Sequence, residues 1–175
     1  MSGHSKWSQI KHQKGTADLK RGQLFSKLLK AISIAAKTEP NPQFNPRLRS
    51  AVEKAKENNV PQENIQRAIN KASEEKNLED LVIEAYGPEG IAIVIEAITD
   101  SKNRTVNELK NILSDRESKM ATPGSVLWSF EKKENGWQAK FPQKISESAS
   151  EKIKNLIAAL EEHEDVQRII TNIGL

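Results

Sequence analysis

The 175-residue chain contains no cysteine. Disulfides, thiolate zinc sites, iron–sulfur clusters and cysteine nucleophiles are all excluded, and the absence suits a reducing, cytoplasmic setting. Aromatics are few: Trp7, Trp128, Trp137, Tyr86 and four phenylalanines, too few for a large aromatic pocket. No apolar run approaches the roughly 18 residues of a membrane span. The opening MSGHSKWSQIKHQKG is charged and has no apolar core, so it does not read as a signal peptide. The catalytic signatures HExxH, GxSxG and GxxxxGK[ST] are missing. No catalytic residue, metal site or cofactor is therefore expected. Of the three histidines, His4 and His12 lie near the start and His163 sits at an expected helix end, where it reads as a dipole partner. The acidic run at 161–165 reads as a helix end or protein contact rather than a divalent-ion site.

Positive charge is plentiful and uneven. Residues 1–77 carry fifteen Lys/Arg against seven Asp/Glu, a balance of +8, and residues 78–175 carry twelve against seventeen, a balance of −5. In residues 1–37 eight basic residues face a single acid, Asp18. Ordinary solvated helices mix signs to form i,i+4 pairs, so this imbalance points to a polyanion as partner.

Periodicity divides the chain. Residues 1–15 are polar and basic without a sustained period and read as a flexible arm. A helix opens at Thr16, with Leu24, Phe25, Leu28, Leu29, Ile32, Ala35 and Ala36 on one face. The prolines of TEPNPQFNP stop it. Asn45-Pro46 is an N-cap followed by proline at the first helical position, and Leu48, Val52 and Ala55 give the second helix its stripe. Pro61 opens a third, with Ile65, Ala68, Ile69 and Ala72 inward. Residues 16–77 form a basic three-helix domain.

From residue 78 the period changes. Residues 81–86 read as a short strand, GPEG at 87–90 as a turn and 91–98 as a central strand. A helix over 104–117 follows. A strand over 125–132 carries Val126, Trp128 and Phe130 on one face, and Asn135-Gly136 turns it into a strand at 137–141. A helix from Ser146 to His163 and a strand over 166–173 complete the domain. The class is α+β: a three-helix unit followed by a ferredoxin-like (split βαβ) sandwich over 78–175, with the strand at 81–86 as an extra partner.

Lys6, Lys11, Lys14, Lys20, Arg21 and Lys27 are suited to phosphates, while His4, Trp7 and His12 among them offer hydrogen bonds and a stacking surface for bases. A solvated face with Trp7 packed on the helices is the other reading. Arg47 and Arg49 oppose the dipole of the second helix, which a phosphate at its N-terminus would relieve; pairing with Glu53 is the alternative.

With these segments placed, the chain resembles the YebC-like family, which includes the translational activator of cytochrome oxidase. The likeness rests on GHSKW at 3–7, IKHQK at 10–14, KRGQLFSKL at 20–28, NPRLR at 45–49, NNVP at 58–61, YGPEG at 86–90, TDSKNRTV at 99–106, GSV at 124–126 and EDVQ at 164–167. Two departures stand out. Family members run to about 240 residues, with a further α/β domain inserted after the strand that here ends SFEKK, and this chain passes almost directly into WQAKFPQK. Members also carry Gly-Gly before GSV, where Ser118-Lys119 stands here. The resemblance implies a protein that binds nucleic acid: a translation factor on the ribosome that eases synthesis of proline-rich stretches, or a DNA-binding transcriptional regulator. An arm plus a helical bundle favours RNA, with ribosomal RNA or tRNA contacted through residues 1–77; a protein-interaction module whose basic arm merely aids solubility is a third reading.

Overall fold

The computed structural model describes the backbone of residues 3–134 and 136–174, and the side chains of residues 15–134 and 136–174. The chain divides into two compact units, Met1–Glu74 and Glu75–Leu175.

Unit 1 is helical. Helix α1 spans Gly3–Ala36, α2 Pro46–Glu57 and α3 Gln62–Lys71. Leu28, Ile32, Ala35 and Ala36 of α1 meet Leu48, Val52 and Ala55 of α2 and Ile65 of α3 in one buried cluster. The spacing of these residues dictates this packing, since positions three and four apart lie on one helical face. Two expectations change. The helix begins at Gly3, not Thr16. Leu24, expected inside, is 40% exposed, because it lies about a turn before Leu28, where the cluster begins.

Unit 2 contains strands β1 (Glu79–Tyr86), β2 (Ala92–Thr99), β3 (Lys119–Met120), β4 (Phe130–Lys133), β5 (Gly136–Ala139) and β6 (Val166–Thr171), with helices α4 (Lys102–Ser114) and α5 (Glu147–Glu161). Its main sheet has the order β3-β1-β2-β6, and every neighbouring pair is antiparallel. Leu81, Ile83 and Ala85 of β1 and Ile93, Ile95 and Ala97 of β2 pack against Leu109 and Leu113 of α4 and Ile153, Leu156 and Leu160 of α5. On the opposite face Ala92 and Val94 of β2 meet Val126 and Phe130, with Trp137 and Ala139 of the β4–β5 hairpin against them. Strand β2 is thus covered on both faces, which explains its nearly continuous apolar run.

The mixed helix-and-sheet class is as expected, but the strands are assigned differently. A split βαβ unit is present in β2–α4–β3. The strand filling its gap is β1, which was expected as an accessory, whereas β4 and β5 pair only with each other. The reason is local: β1 and β2 are joined by a short turn at 88–90 and align over eight residue pairs. The expected strand at 125–132 also differs. Leu127–Ser129 forms a 3-10 turn and β4 begins only at Phe130. The turn puts Val126 and Phe130 inside while Trp128 faces out, 63% exposed.

Candidate nucleic-acid interface

The basic residues of unit 1 are displayed by two devices. The first is α1, on which Lys20 and Arg21 are exposed and Lys27 half-buried. Lys20 and Lys27 are seven residues apart and share one face of the helix, turned away from the Phe25–Leu28–Ile32 stripe by the 3.6-residue period. The Arg21 guanidinium lies 5.5 Å from the centroid of the Phe25 ring, a cation–π contact that holds the charge at the surface.

The second device is Asn45. Its amide donates to the carbonyls of Ala35 and Glu39, both at 2.8 Å. Its Oδ1 accepts from the Leu48 N–H at 3.0 Å. One buried side chain therefore ties the end of α1 to the start of α2 and caps α2 as well. Asn41 stiffens the same loop, its Oδ1 accepting from the Gln43 N–H at 3.0 Å. Arg47 and Arg49 follow on the first turn of α2, both exposed. Arg49 reaches the Pro42 carbonyl at 3.5 Å and borders a groove of about 290 Å³ shared with Pro40, Glu53, Gln62, Ile65 and Gln66.

The Asn45 connection fixes how far the two sets of charges lie apart along α1. The start of α2 lies beside Ala35, and Lys20 is fifteen residues earlier on α1, about 22 Å along the axis at 1.5 Å per residue. The sequence-expected residues are thus brought together in two groups, Lys20, Arg21 and Lys27 in one and Arg47 and Arg49 in the other. The side chains of His4, Lys6, Trp7, Lys11, His12 and Lys14 lie outside the described residues.

The charged motifs of unit 2 turn inward instead. Glu84, in mid-β1, is 4% exposed. Its carboxylate accepts from the N–H groups of Gly124 (2.5 Å), Val126 (2.7 Å) and Leu127 (2.8 Å). Gly124 has φ +85°, a left-handed conformation that costs glycine little and lets these N–H groups converge. The Tyr86 hydroxyl donates to the Ser125 carbonyl at 3.0 Å. Burial pushes the Glu84 carboxyl up, and the three N–H groups more than offset it, so its pKa falls below the ordinary value. Sequence reasoning missed Glu84. The available signal was an acid between Ile83 and Ala85 in the otherwise apolar stretch 81–85.

At the other end of the sheet, Arg104 lies 2.9 Å from Asp165, 3.0 Å from Asp100 and 3.3 Å from Glu108. Asp165 is fully buried and also accepts from the Thr105 hydroxyl at 2.6 Å. The Asp165 N–H donates to His163 Nδ1 at 3.1 Å, so Nε2 carries the proton that bonds Glu108 at 2.8 Å. Glu108, His163 and Asp165 have ligand atoms within 4.8 Å of one another, but the Arg104 guanidinium already supplies the positive charge that a cation would bring. The run at 161–165 therefore acts here as a brace between α4 and the approach to β6.

The two units define a class: a basic helical unit that displays its charge, followed by an α+β unit that uses its charged motifs for internal bracing. Comparison with known proteins agrees with this division. The description "TACO1/YebC protein N-terminal domain" matches residues 5–75, and "TACO1/YebC second and third domain" matches residues 78–135. A relative from Trichlorobacter lovleyi named "Probable transcriptional regulatory protein" is 50% identical over 137 residues, which is 76% of this chain and 56% of the relative. One with the same designation from Thermoanaerobacter pseudethanolicus is 51% identical over 136 residues, covering 75% of this chain and 55% of the relative. The crystal structure of the conserved hypothetical protein Aq1575 from Aquifex aeolicus matches with a TM-score of 0.82 and 29% identity, over 90% of this chain and 91% of that one. The chain belongs to the TACO1/YebC family, and it spans a little over half the length of these sequence relatives. The second family match ends at residue 135, one position before Gly136, which pairs with Lys133. No described helix is long and apolar enough to cross a membrane.

Proposed function

We propose that this protein is a non-enzymatic RNA-binding translation factor that works in the cytoplasm, engages the ribosome through ribosomal RNA or tRNA, and eases synthesis of proline-rich stretches. The observation that carries this reading is the basic surface of unit 1, where Lys20, Arg21, Arg47 and Arg49 are exposed and Lys27 is half-buried. Lys20, Arg21, Lys27, Arg47 and Arg49 contact phosphates there. On this reading Lys6, Lys11 and Lys14 add further phosphate contacts, and His4, Trp7 and His12 contact bases or ribose. Cations set about 12 Å (Lys27) to 22 Å (Lys20) along α1 from the start of α2, with Arg47 and Arg49 at that start, suit a repeating polyanion better than a small anion.

The test is sedimentation of cell extract on a sucrose gradient, with direct RNA titration. Comigration with ribosomal subunits is expected. If about five phosphates are engaged on a single strand, the slope of log K against log salt is about −3.5. A flat salt response, or comigration with chromosomal DNA alone, overturns the reading.

A second reading is a DNA-binding transcriptional regulator. It draws on the designation of the relatives and on α3, which joins α2 through residues 58–61. Gln62, Gln66, Arg67, Asn70 and Lys71 are exposed on α3 and have the chemistry of base-edge contacts. Against it, Gln66 donates to Asn70 at 3.0 Å and Arg67 pairs with Glu63 at 3.0 Å, so much of that surface is internally satisfied.

A further inference from the structure

Unit 2 is acidic overall, yet its positive charge is concentrated. Residues 119–144 contain five lysines and two glutamates, a balance of +3, whereas the rest of 78–175 carries seven basic and fifteen acidic residues. Within this basic stretch two large aromatics face solvent, Trp128 at 63% and Phe141 at 58% exposure. Their ring centroids are 5.8 Å apart and their planes are tilted by 46°.

The rings are exposed but not loosely held. Trp128 Nε1 donates to the Ser125 carbonyl at 2.8 Å. The Lys140 ammonium donates to the Trp128 carbonyl at 3.0 Å, and the Lys140 N–H to the Ser129 carbonyl at 2.9 Å. The immediate neighbours Val126, Ser129 and Phe130 are buried. The backbone is thus anchored while the indole is turned out. Single exposed aromatics are ordinary. Two held side by side, with a lysine at their edge and more lysines on the adjoining hairpin, have no role in the core.

We propose that Trp128 and Phe141 form a stacking platform for unpaired RNA bases, with Lys140 beside the strand's phosphates. This rests on the RNA-binding reading of unit 1 and adds a contact surface in the other unit. Aromatic faces accept any base, and flanking cations follow the backbone, which is the chemistry of single-strand binding. A duplex keeps its bases stacked on one another and offers the rings little. A symmetric second copy is disfavoured by charge, because a two-fold contact would set the same basic stretch against itself.

The experiment is a fluorescence-anisotropy titration of a short fluorescein-labelled oligouridylate with the full chain at several salt concentrations. The combined substitution of Trp128→Ala and Phe141→Ala is expected to weaken binding roughly 5- to 150-fold for each stacked base lost. Its salt slope should stay unchanged, since no phosphate contact is removed. Trp128→Phe combined with Phe141→Tyr keeps two aromatic faces and should bind close to the parent protein. Parent-like binding by the alanine pair overturns the platform, and so does equal loss by the alanine and aromatic pairs. A parent dimer that the alanine pair converts to monomer, by sedimentation velocity, also overturns it in favour of self-association. If Arg47→Ala with Arg49→Ala weakens binding and the alanine pair does not, only the platform fails. If the parent protein binds no RNA, the reading of unit 1 fails with it.

Discussion

The two units use charge in opposite ways. In unit 1 the residue that organises the site, Asn45, is neutral and buried, and the charges it positions are exposed. In unit 2 Glu84 and Asp165 are buried and Arg104 reaches inward to pair with Asp165. A charged motif in a sequence therefore carries two meanings that its letters do not separate. NPRLR displays its charge at the surface, whereas TDSKNRTV and EDVQ use it to hold a helix to a strand.

Substitutions should separate these uses, and the largest effect is expected where charge is buried. Asp165→Ala leaves Arg104 and Thr105 without their shared acceptor. Breaking a buried pair costs roughly 3–5 kcal/mol, and because Arg104 retains partial access to water the lower end applies. Urea unfolding should register this loss, while oligonucleotide binding by the folded protein stays as before. A binding loss without a stability loss would erase the contrast between the units.

Glu84→Gln comes next. It keeps the shape, but its amide nitrogen replaces one of the two accepting oxygens and meets an N–H donor, so at least one of the three hydrogen bonds is lost and the others lose their charge assistance, for a loss of roughly 1.5–3 kcal/mol. Acid sharpens the same point. The folded carboxyl has a lowered pKa, so its stabilisation is complete above the ordinary value of 4.5 and disappears as pH falls through the folded value. Stability measured against pH below about 4.5 should therefore fall less steeply for Glu84→Gln than for the parent.

In unit 1, Asn45→Ala should cost about 1 kcal/mol for the cap and somewhat more for the lost bonds to Ala35 and Glu39. It should weaken RNA binding only through the placement of Arg47 and Arg49. The smallest stability effect belongs to Arg49→Ala, within about 0.5 kcal/mol, with the salt slope reduced by about 0.7 if its phosphate contact is to a single strand.

The sequence was informative wherever one period dominated. The stripes of α2 and α3 were legible because few residues compete for their inner faces, and β2 was legible because both of its faces are covered. Trp128 was misread because alternation assumes an uninterrupted strand, and a single 3-10 turn reverses which face a residue takes. The place of β1 in the sheet was hidden because periodicity says which face a strand buries but not which strand lies beside it. The site shows the same limit. Exposed cations such as Arg47 and Arg49 announce themselves by composition, whereas Glu84 acquires its role only from a loop forty residues away. Asn45 was legible as a cap, but its bond to Ala35 depends on where α1 ends.

The central position of β1 also sets an order of assembly. Its pairing with β2 needs only the closure of a tight turn, so it carries little of the entropy cost that delays long-range contacts. Strand β3 then docks on the outer edge of β1 after α4 has crossed the sheet. Strand β6 completes the other edge last, because the whole β4–β5 hairpin and α5 intervene before it. In native-state hydrogen exchange the amides of β1 and β2 should accordingly be the slowest in unit 2 and those of β6 faster. The earliest pairing to form would then be the last to open.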